Sequence, residues 1–324
     1  MLMKFVISHA LMKEGMDLLD ELGAEVYIAD STDPYSYIDK IKEADALILR
    51  QGDFRAPIIN ECSNLKVIGI TGVGFDNVDV HDAAQLGIPT VITPGANQHS
   101  VAEQVIACMM DHSKNLTRQD EEIRKGNWAY RDTGKGFQLW GKTVGIIGCG
   151  RIGRNVAAIC SAMGMKVLGY DITGQAAVEA AGCEYRSTVD EILKESDFVT
   201  IHCALTADTE GLIGKRELEL MKPTAYLMNL ARGPIVDEQA LADAVNNGVI
   251  SGAAVDVYSV EPVSSDNPVL TAKNILCTPH TSGIAAEALA RMSVMCVEGC
   301  AAIIRGERWD AVADRSVYDH SRFA

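Results

Sequence analysis

Three residues of this 324-residue chain stand at the ends of apolar runs and belong to types that handle a carbonyl and its proton. Arg232 follows AYLMNLA, Glu261 lies just beyond AAVDVYSV, and His280 ends NILCTPH. A guanidinium offers a planar fork for a carboxylate and can polarise a carbonyl. An imidazole titrates near neutrality, so it can give a proton to a developing alkoxide and take it back. A carboxylate beside that imidazole would orient it and favour its protonated form. The set suits reduction of a 2-oxo acid, where the protein need supply no nucleophile. Each residue also has a plainer reading: a surface ion-pair partner, a Glu-Pro turn and a structural histidine.

The cofactor for such a reaction has its own signature. Gly148-Cys149-Gly150-Arg151-Ile152-Gly153 closes the apolar run TVGIIG and opens the helical run NVAAICSAMG. In that context the first glycine permits a tight turn and the second lets backbone approach a pyrophosphate. The third lets helix and strand pack closely. The helix N-terminus then presents unpaired N–H groups to the phosphates. The next strand ends at Asp171, about 20 residues beyond the motif, where an acid meets the adenosine ribose. No arginine directly follows it in Tyr170-Asp171-Ile172-Thr173-Gly174, which favours NAD over NADP. A solvated strand-end acid is the alternative for Asp171, and an ordinary glycine turn the alternative for the motif.

These residues need elements to position them, and the pattern supplies two series of alternating strands and helices. Residues 3–8, 24–28, 45–49, 66–70 and 88–92 read as short buried strands, with helical spacing between them at 11–22 and 58–63. Residues 99–125 read as one long helix opened by Ser100 as N-cap, with Glu103 three residues on. An irregular, glycine-rich connection follows at 126–142. The second series has strands at 143–148, 166–171, 198–203, 225–230, 250–257 and 274–280. In a parallel sheet the carboxyl ends form one rim, so Arg232, Glu261 and His280 can converge although far apart in sequence. The last segment, from about Ala290, is too short for a domain and must pack on one of the two units.

Composition bounds the rest. Apolar residues make up 48% and charged residues 23%, enough for two cores at this length. A formal net charge of −15 sets long-range repulsion against nucleic acid and anionic membranes. The nine cysteines show no CxxC pair, and their odd number suits a reducing compartment. The first residues, with Lys4 and Lys13, hold no long apolar core, and no run is long enough to span a bilayer. A cytoplasmic protein is the expectation. The histidines show no metal-ligand spacing, so no metal is expected.

GIIGCGRIGRNVA, the Asp171 strand end, NLARGPIVDEQAL, AVDVYSVEP and the TPH at His280 together resemble the D-isomer-specific 2-hydroxyacid dehydrogenase family. GITGVGFDNVDV and NQHSVAEQVIACMM look like that family's substrate loop and interdomain helix, so the resemblance spans essentially the whole chain. It implies an α/β fold of two doubly wound parallel-sheet domains, a Rossmann NAD domain at 99–289 inserted into a flavodoxin-like substrate domain at 1–98 and 290–324. The cleft between them would be the active site, closing on hinges. By this likeness Arg232 anchors substrate, Glu261 assists and His280 is the acid/base. Gly148, Gly150, Arg151, Ile152, Gly153, Asp171, Cys203, Ala231, Asp256 and Gly283 would contact NAD, Asp256 through the nicotinamide carboxamide. Arg50, Gly72, Val73 and Gly74 would hold substrate with Arg232, although Arg50 also reads as a surface arginine.

The resemblance also implies a homodimer acting on a small 2-hydroxy or 2-oxo acid. LILRQGD and TGVGFDNVD point to the phosphoglycerate dehydrogenase-like branch, in a form without the regulatory domain. Ile70 departs from that branch where some members place an arginine, and Cys203 stands where threonine or proline is commoner. Glyoxylate, hydroxypyruvate and other 2-oxo acids stay open as substrates. A relative of the same fold that binds NAD as a protein-binding corepressor is the alternative of another class.

Overall fold

The computed structural model describes residues 2–320 and 322. The chain forms two compact units, Met1–Asn97 with Ile284–Ala324, and Gln98–Gly283. The second boundary falls at 284 rather than 290 because the helix Ala286–Ile304 joins the first unit as a whole.

The first unit is built on β1 (Lys4–Ile7), β2 (Glu25–Ile28), β3 (Ala46–Leu49), β4 (Val67–Ile70) and β5 (Thr90–Val91). Their order is β2-β1-β3-β4-β5, parallel throughout. Strands covered on both faces read as unbroken apolar runs, and β3 and β4 are buried along their whole length. The run at 24–28 differs from its expectation. β2 lies at the sheet edge, where Tyr27 and Ile28 are exposed.

The long C-terminal helix lies against this sheet close enough to require Gly69. A Cβ there would come within 2.6 Å of Cys296 Sγ and 2.7 Å of Cys300 Sγ. Beyond the helix, residues 311–313 return antiparallel along β5. Ile92 N–H donates to Ala311 O and Ala313 N–H to Thr90 O, which covers that edge.

The second unit holds β6 (Thr143–Ile147), β7 (Lys166–Tyr170), β8 (Glu184–Tyr185), β9 (Phe198–Ile201), β10 (Tyr226–Asn229), β11 (Gly252–Val255) and β12 (Ile275–Cys277). Their order, β12-β11-β10-β9-β6-β7-β8, is the dinucleotide-binding winding with one further strand. All pairs are parallel. The two-residue edge strand β8 is too short to give an apolar pattern, and sequence reading passes over it.

The helix expected over 99–125 is two helices, Gln98–Lys114 and Leu116–Arg124. Asn115 sits between them in the left-handed region at φ 57°, which asparagine tolerates better than most residues. Asp111 stabilises the break, its carboxylate accepting both the Thr117 N–H and hydroxyl. Ser100 is not the N-cap: the helix starts two residues earlier, and the Ser100 hydroxyl donates to Ser282 O instead.

One aromatic cluster joins helix to sheet. His112 stacks on Tyr226 at 4.0 Å and meets the rings of Phe137 and Phe198 edge-on. Burial pushes its imidazole down to about 4. The unfolded chain therefore binds this proton more readily. Stability is lost as pH falls from about 6.5 towards 4, and it is not regained below that. We predict that the stability of wild type relative to His112→Phe drops by up to about 2 kcal/mol between pH 7 and pH 5, read by urea unfolding. An unchanged difference would mean that His112 is not held neutral by the fold.

Candidate nucleotide and catalytic site

The glycine motif forms the turn from β6 into the helix Arg151–Ala162, whose N-cap is Gly150. Gly148 takes φ +96°, and a Cβ there would lie 2.6 Å from Cys203 N. A Cβ on Gly153 would lie 2.3 Å from Gly148 O, so helix and turn meet in direct contact. Gly150 is different. Nothing stands within 4 Å of where its Cβ would be, so the turn is open at the residue that precedes the first helical N–H groups, those of Arg151, Ile152 and Gly153. That combination of crowded rear and open front fits a pyrophosphate.

Asp171, just past β7, is tied to the same turn. Its Oδ2 accepts the Cys149 N–H at 2.8 Å, and its Oδ1 accepts the Thr173 N–H and hydroxyl. Burial opposes its ionisation, but these hydrogen bonds and the charge of Arg154 outweigh it and hold the carboxyl below the usual aspartate range. The motif and the acid are thus one hydrogen-bonded unit. Arg154, which also reaches Cys149 O at 3.4 Å, is a residue the sequence reading missed. Cys203 lies half-buried behind the turn, and burial pushes its thiol up to about 11, which makes it an inert wall.

The three residues of the expected triad follow three neighbouring strands, β10, β11 and β12. Arg232 is set by the buried Asn229, whose amide donates to Arg232 O while its Oδ1 accepts the Ala231 N–H. The Arg232 Nη1 donates to Ala231 O at 2.7 Å. Gly233 lies so close to the backbone of Tyr258 that a Cβ would overlap it, which brings this loop against the one carrying Glu261. Glu261 Oε1 accepts the Tyr258 N–H at 3.0 Å, and Glu261 Oε2 lies 2.7 Å from His280 Nδ1. An ionised carboxylate only accepts, so Nδ1 carries the hydrogen and Nε2 faces away from the pair. Burial disfavours the Glu261 charge, but the bonds from His280 and Tyr258 and the charges of His280 and Arg232 hold it below the usual glutamate range.

His280 itself is held at φ 53°, uncommon for a residue with a side chain. Its N–H donates to Asp256 O at 2.8 Å. The Asp256 carboxylate, 1% exposed, accepts the Thr278 hydroxyl and the Thr281 and Ser282 N–H groups. Asp256 therefore shapes the turn that carries the histidine. Tyr258 adds a bond from its hydroxyl to Thr278 O. Gly283 is the last residue of this unit.

In the first unit, Arg50 follows β3, and burial lowers its pKa. Gly72, Val73 and Gly74 follow β4 across Thr71. The Gly72 N–H donates to Ile70 O at 2.9 Å and Gly72 O accepts from Thr93, so that glycine's polar groups are engaged within the loop.

Replacing Asp256 by alanine removes three hydrogen bonds and leaves two backbone donors without their acceptor. We expect a loss of about 3 kcal/mol in urea unfolding. Asp256→Asn, which keeps the acceptor Oδ1, should lose less.

Comparison with known proteins agrees with this geometry. Residues 106–282 match the model of the D-isomer specific 2-hydroxyacid dehydrogenase NAD binding domain. The chain is 37% identical to the D-3-phosphoglycerate dehydrogenase of Methanocaldococcus jannaschii over 94% of its own length, and spans 58% of that protein. It is 35% identical to the glyoxylate reductase of Aeropyrum pernix, with 96% of each chain covered. The crystal structure of the TT0316 protein from Thermus thermophilus superposes with a TM-score of 0.89 at 30% identity, covering 96% of this chain and 100% of that one. The chain belongs to the D-isomer specific 2-hydroxyacid dehydrogenase family, and its second unit is the family's NAD-binding domain.

Proposed function

We propose that this protein is an NAD-dependent dehydrogenase that interconverts a small D-2-hydroxy acid and its 2-oxo acid. The observation that carries the reading is the 2.7 Å contact between His280 Nδ1 and Glu261 Oε2 at the strand ends of an NAD-binding domain. Bound NADH supplies the hydride. In reduction, His280 Nε2 gives a proton to the carbonyl oxygen; in oxidation it takes that proton from the hydroxyl. Glu261 fixes the ring's orientation and tautomer, and Arg232 anchors the substrate carboxylate.

Gly148, Gly150, Arg151, Ile152 and Gly153 are assigned to the pyrophosphate and Asp171 to the ribose. Cys203, Ala231, Asp256 and Gly283 are assigned to the rest of the dinucleotide. Arg50 and the Gly72–Gly74 loop are assigned to substrate, with Val73 and Gly74 offering N–H groups.

Among substrates, 3-phosphohydroxypyruvate stands first, supported by the phosphoglycerate dehydrogenase relative, and glyoxylate or hydroxypyruvate second, supported by the glyoxylate reductase. We further read the protein as a cytoplasmic homodimer. Nine free cysteines suit a reducing compartment. Exposed Leu116, Ile123 and Trp128 give the second unit an apolar surface for a partner copy. Among the described residues, no helix is long and apolar enough to cross a membrane.

The test is NADH oxidation, followed by absorbance, against 3-phosphohydroxypyruvate, hydroxypyruvate, glyoxylate and pyruvate. One acid should stand out. On it, His280→Ala should turn over about 100- to 10,000-fold more slowly with NADH binding intact. Undiminished turnover in that variant would remove His280 from the mechanism.

A further inference from the structure

Ser100 has the sequence signature of a helix cap and does not act as one. It is the third residue of its helix, and its hydroxyl donates to Ser282 O at 2.6 Å, across 182 positions of sequence. Ser282 is 4% exposed, and its own N–H donates to Asp256 Oδ2 at 2.9 Å. Both backbone polar groups of Ser282 are therefore pinned, one by Asp256 and the other by Ser100. Two residues earlier stands His280 in its left-handed conformation, and two residues later, at Ile284, the chain has entered the other unit. Ser282 is a fixed post between a strained, chemically important residue and a boundary of the fold.

A side-chain residue at positive φ persists only where its surroundings over-determine it. On the C-terminal side of His280, the bonds that do this are Asp256 to the Thr281 and Ser282 N–H groups and Ser100 to Ser282 O. Asp256 acts from the sheet and Ser100 from the helix, so the two are independent supports. Remove Ser100, and the 281–283 peptides keep one support and gain freedom to rotate. His280 then samples orientations in which Nε2 is off line for proton transfer, where small displacements cost large factors in rate.

We infer that Ser100 is a positioning residue for His280, acting through the carbonyl of Ser282 and touching neither cofactor nor substrate. The inference rests on the reading of His280 as the acid/base.

The experiment compares wild type, Ser100→Ala, Ser100→Thr and His280→Asn as full chains. In Ser100→Ala, amide hydrogen exchange in a peptide covering 278–284 should quicken about ten-fold, the loss of one hydrogen bond. On the best 2-oxo acid, kcat should fall by about ten-fold while the Kd for NADH stays within about two-fold. The solvent deuterium isotope effect on kcat should rise, because proton transfer has become slower. Ser100→Thr, which restores a hydroxyl, should recover both exchange and turnover. Unchanged exchange at 278–284 or unchanged kcat in Ser100→Ala overturns the inference. So does a joint loss of NADH affinity and kcat that threonine does not rescue, because that marks a structural role. Wild-type turnover in His280→Asn would instead sink the acid/base reading, and the exchange measurement would still decide whether Ser100 holds the turn.

Discussion

A carboxylate buried at the end of β11 sets more of this structure's geometry than its size suggests. Asp256 accepts a hydroxyl and two backbone N–H groups, and its own carbonyl receives the N–H of His280. A charge taken out of water is costly unless donors replace the solvent, and here they all come from the 278–282 segment. The need to satisfy one acid dictates the path of the chain after β12. That path places an imidazole beside Glu261 in a backbone conformation it would not adopt alone.

The cofactor side follows a similar logic with glycine in place of charge. Gly148 and Gly153 are required because backbone already fills the space where their side chains would be. Gly150 differs from them, since nothing stands within 4 Å of where its Cβ would be. Asp171 binds this turn through the Cys149 N–H, so the glycine turn and the strand-end acid form one hydrogen-bonded element. The His280–Glu261 pair and the glycine turn both stand at the carboxyl rim of one parallel sheet, where the fold leaves polar ends to be claimed.

Most of this was legible before the structure because it is local. Strand periodicity, the glycine spacing and the acid about 20 residues on are short-range signals, and the central strands appear close to where the pattern puts them. Long-range facts were less legible. The exposure of β2 depends on which strands flank it, which periodicity does not report. The break at Asn115 depends on a carboxylate four residues earlier choosing Thr117 over solvent. Ser100 shows the limit most clearly: its spacing to Glu103 imitates a capping box, yet its hydroxyl is spent on a carbonyl 182 residues away. Arg232, Glu261 and His280 could be named as candidates from type and position. The family resemblance grouped them, and the sheet order adds that they follow three neighbouring strands, β10, β11 and β12.

The central claim is that His280 and its carboxylate partner serve a hydride transfer to a 2-oxo carbon. The most direct test uses NADH deuterated at C4 of the nicotinamide, with the product acid analysed for label and handedness. Deuterium should appear at C2 of a D-2-hydroxy acid. Contradiction would come from deuterated NADH that binds and yet leaves every 2-oxo acid unlabelled, or from a product of the opposite hand.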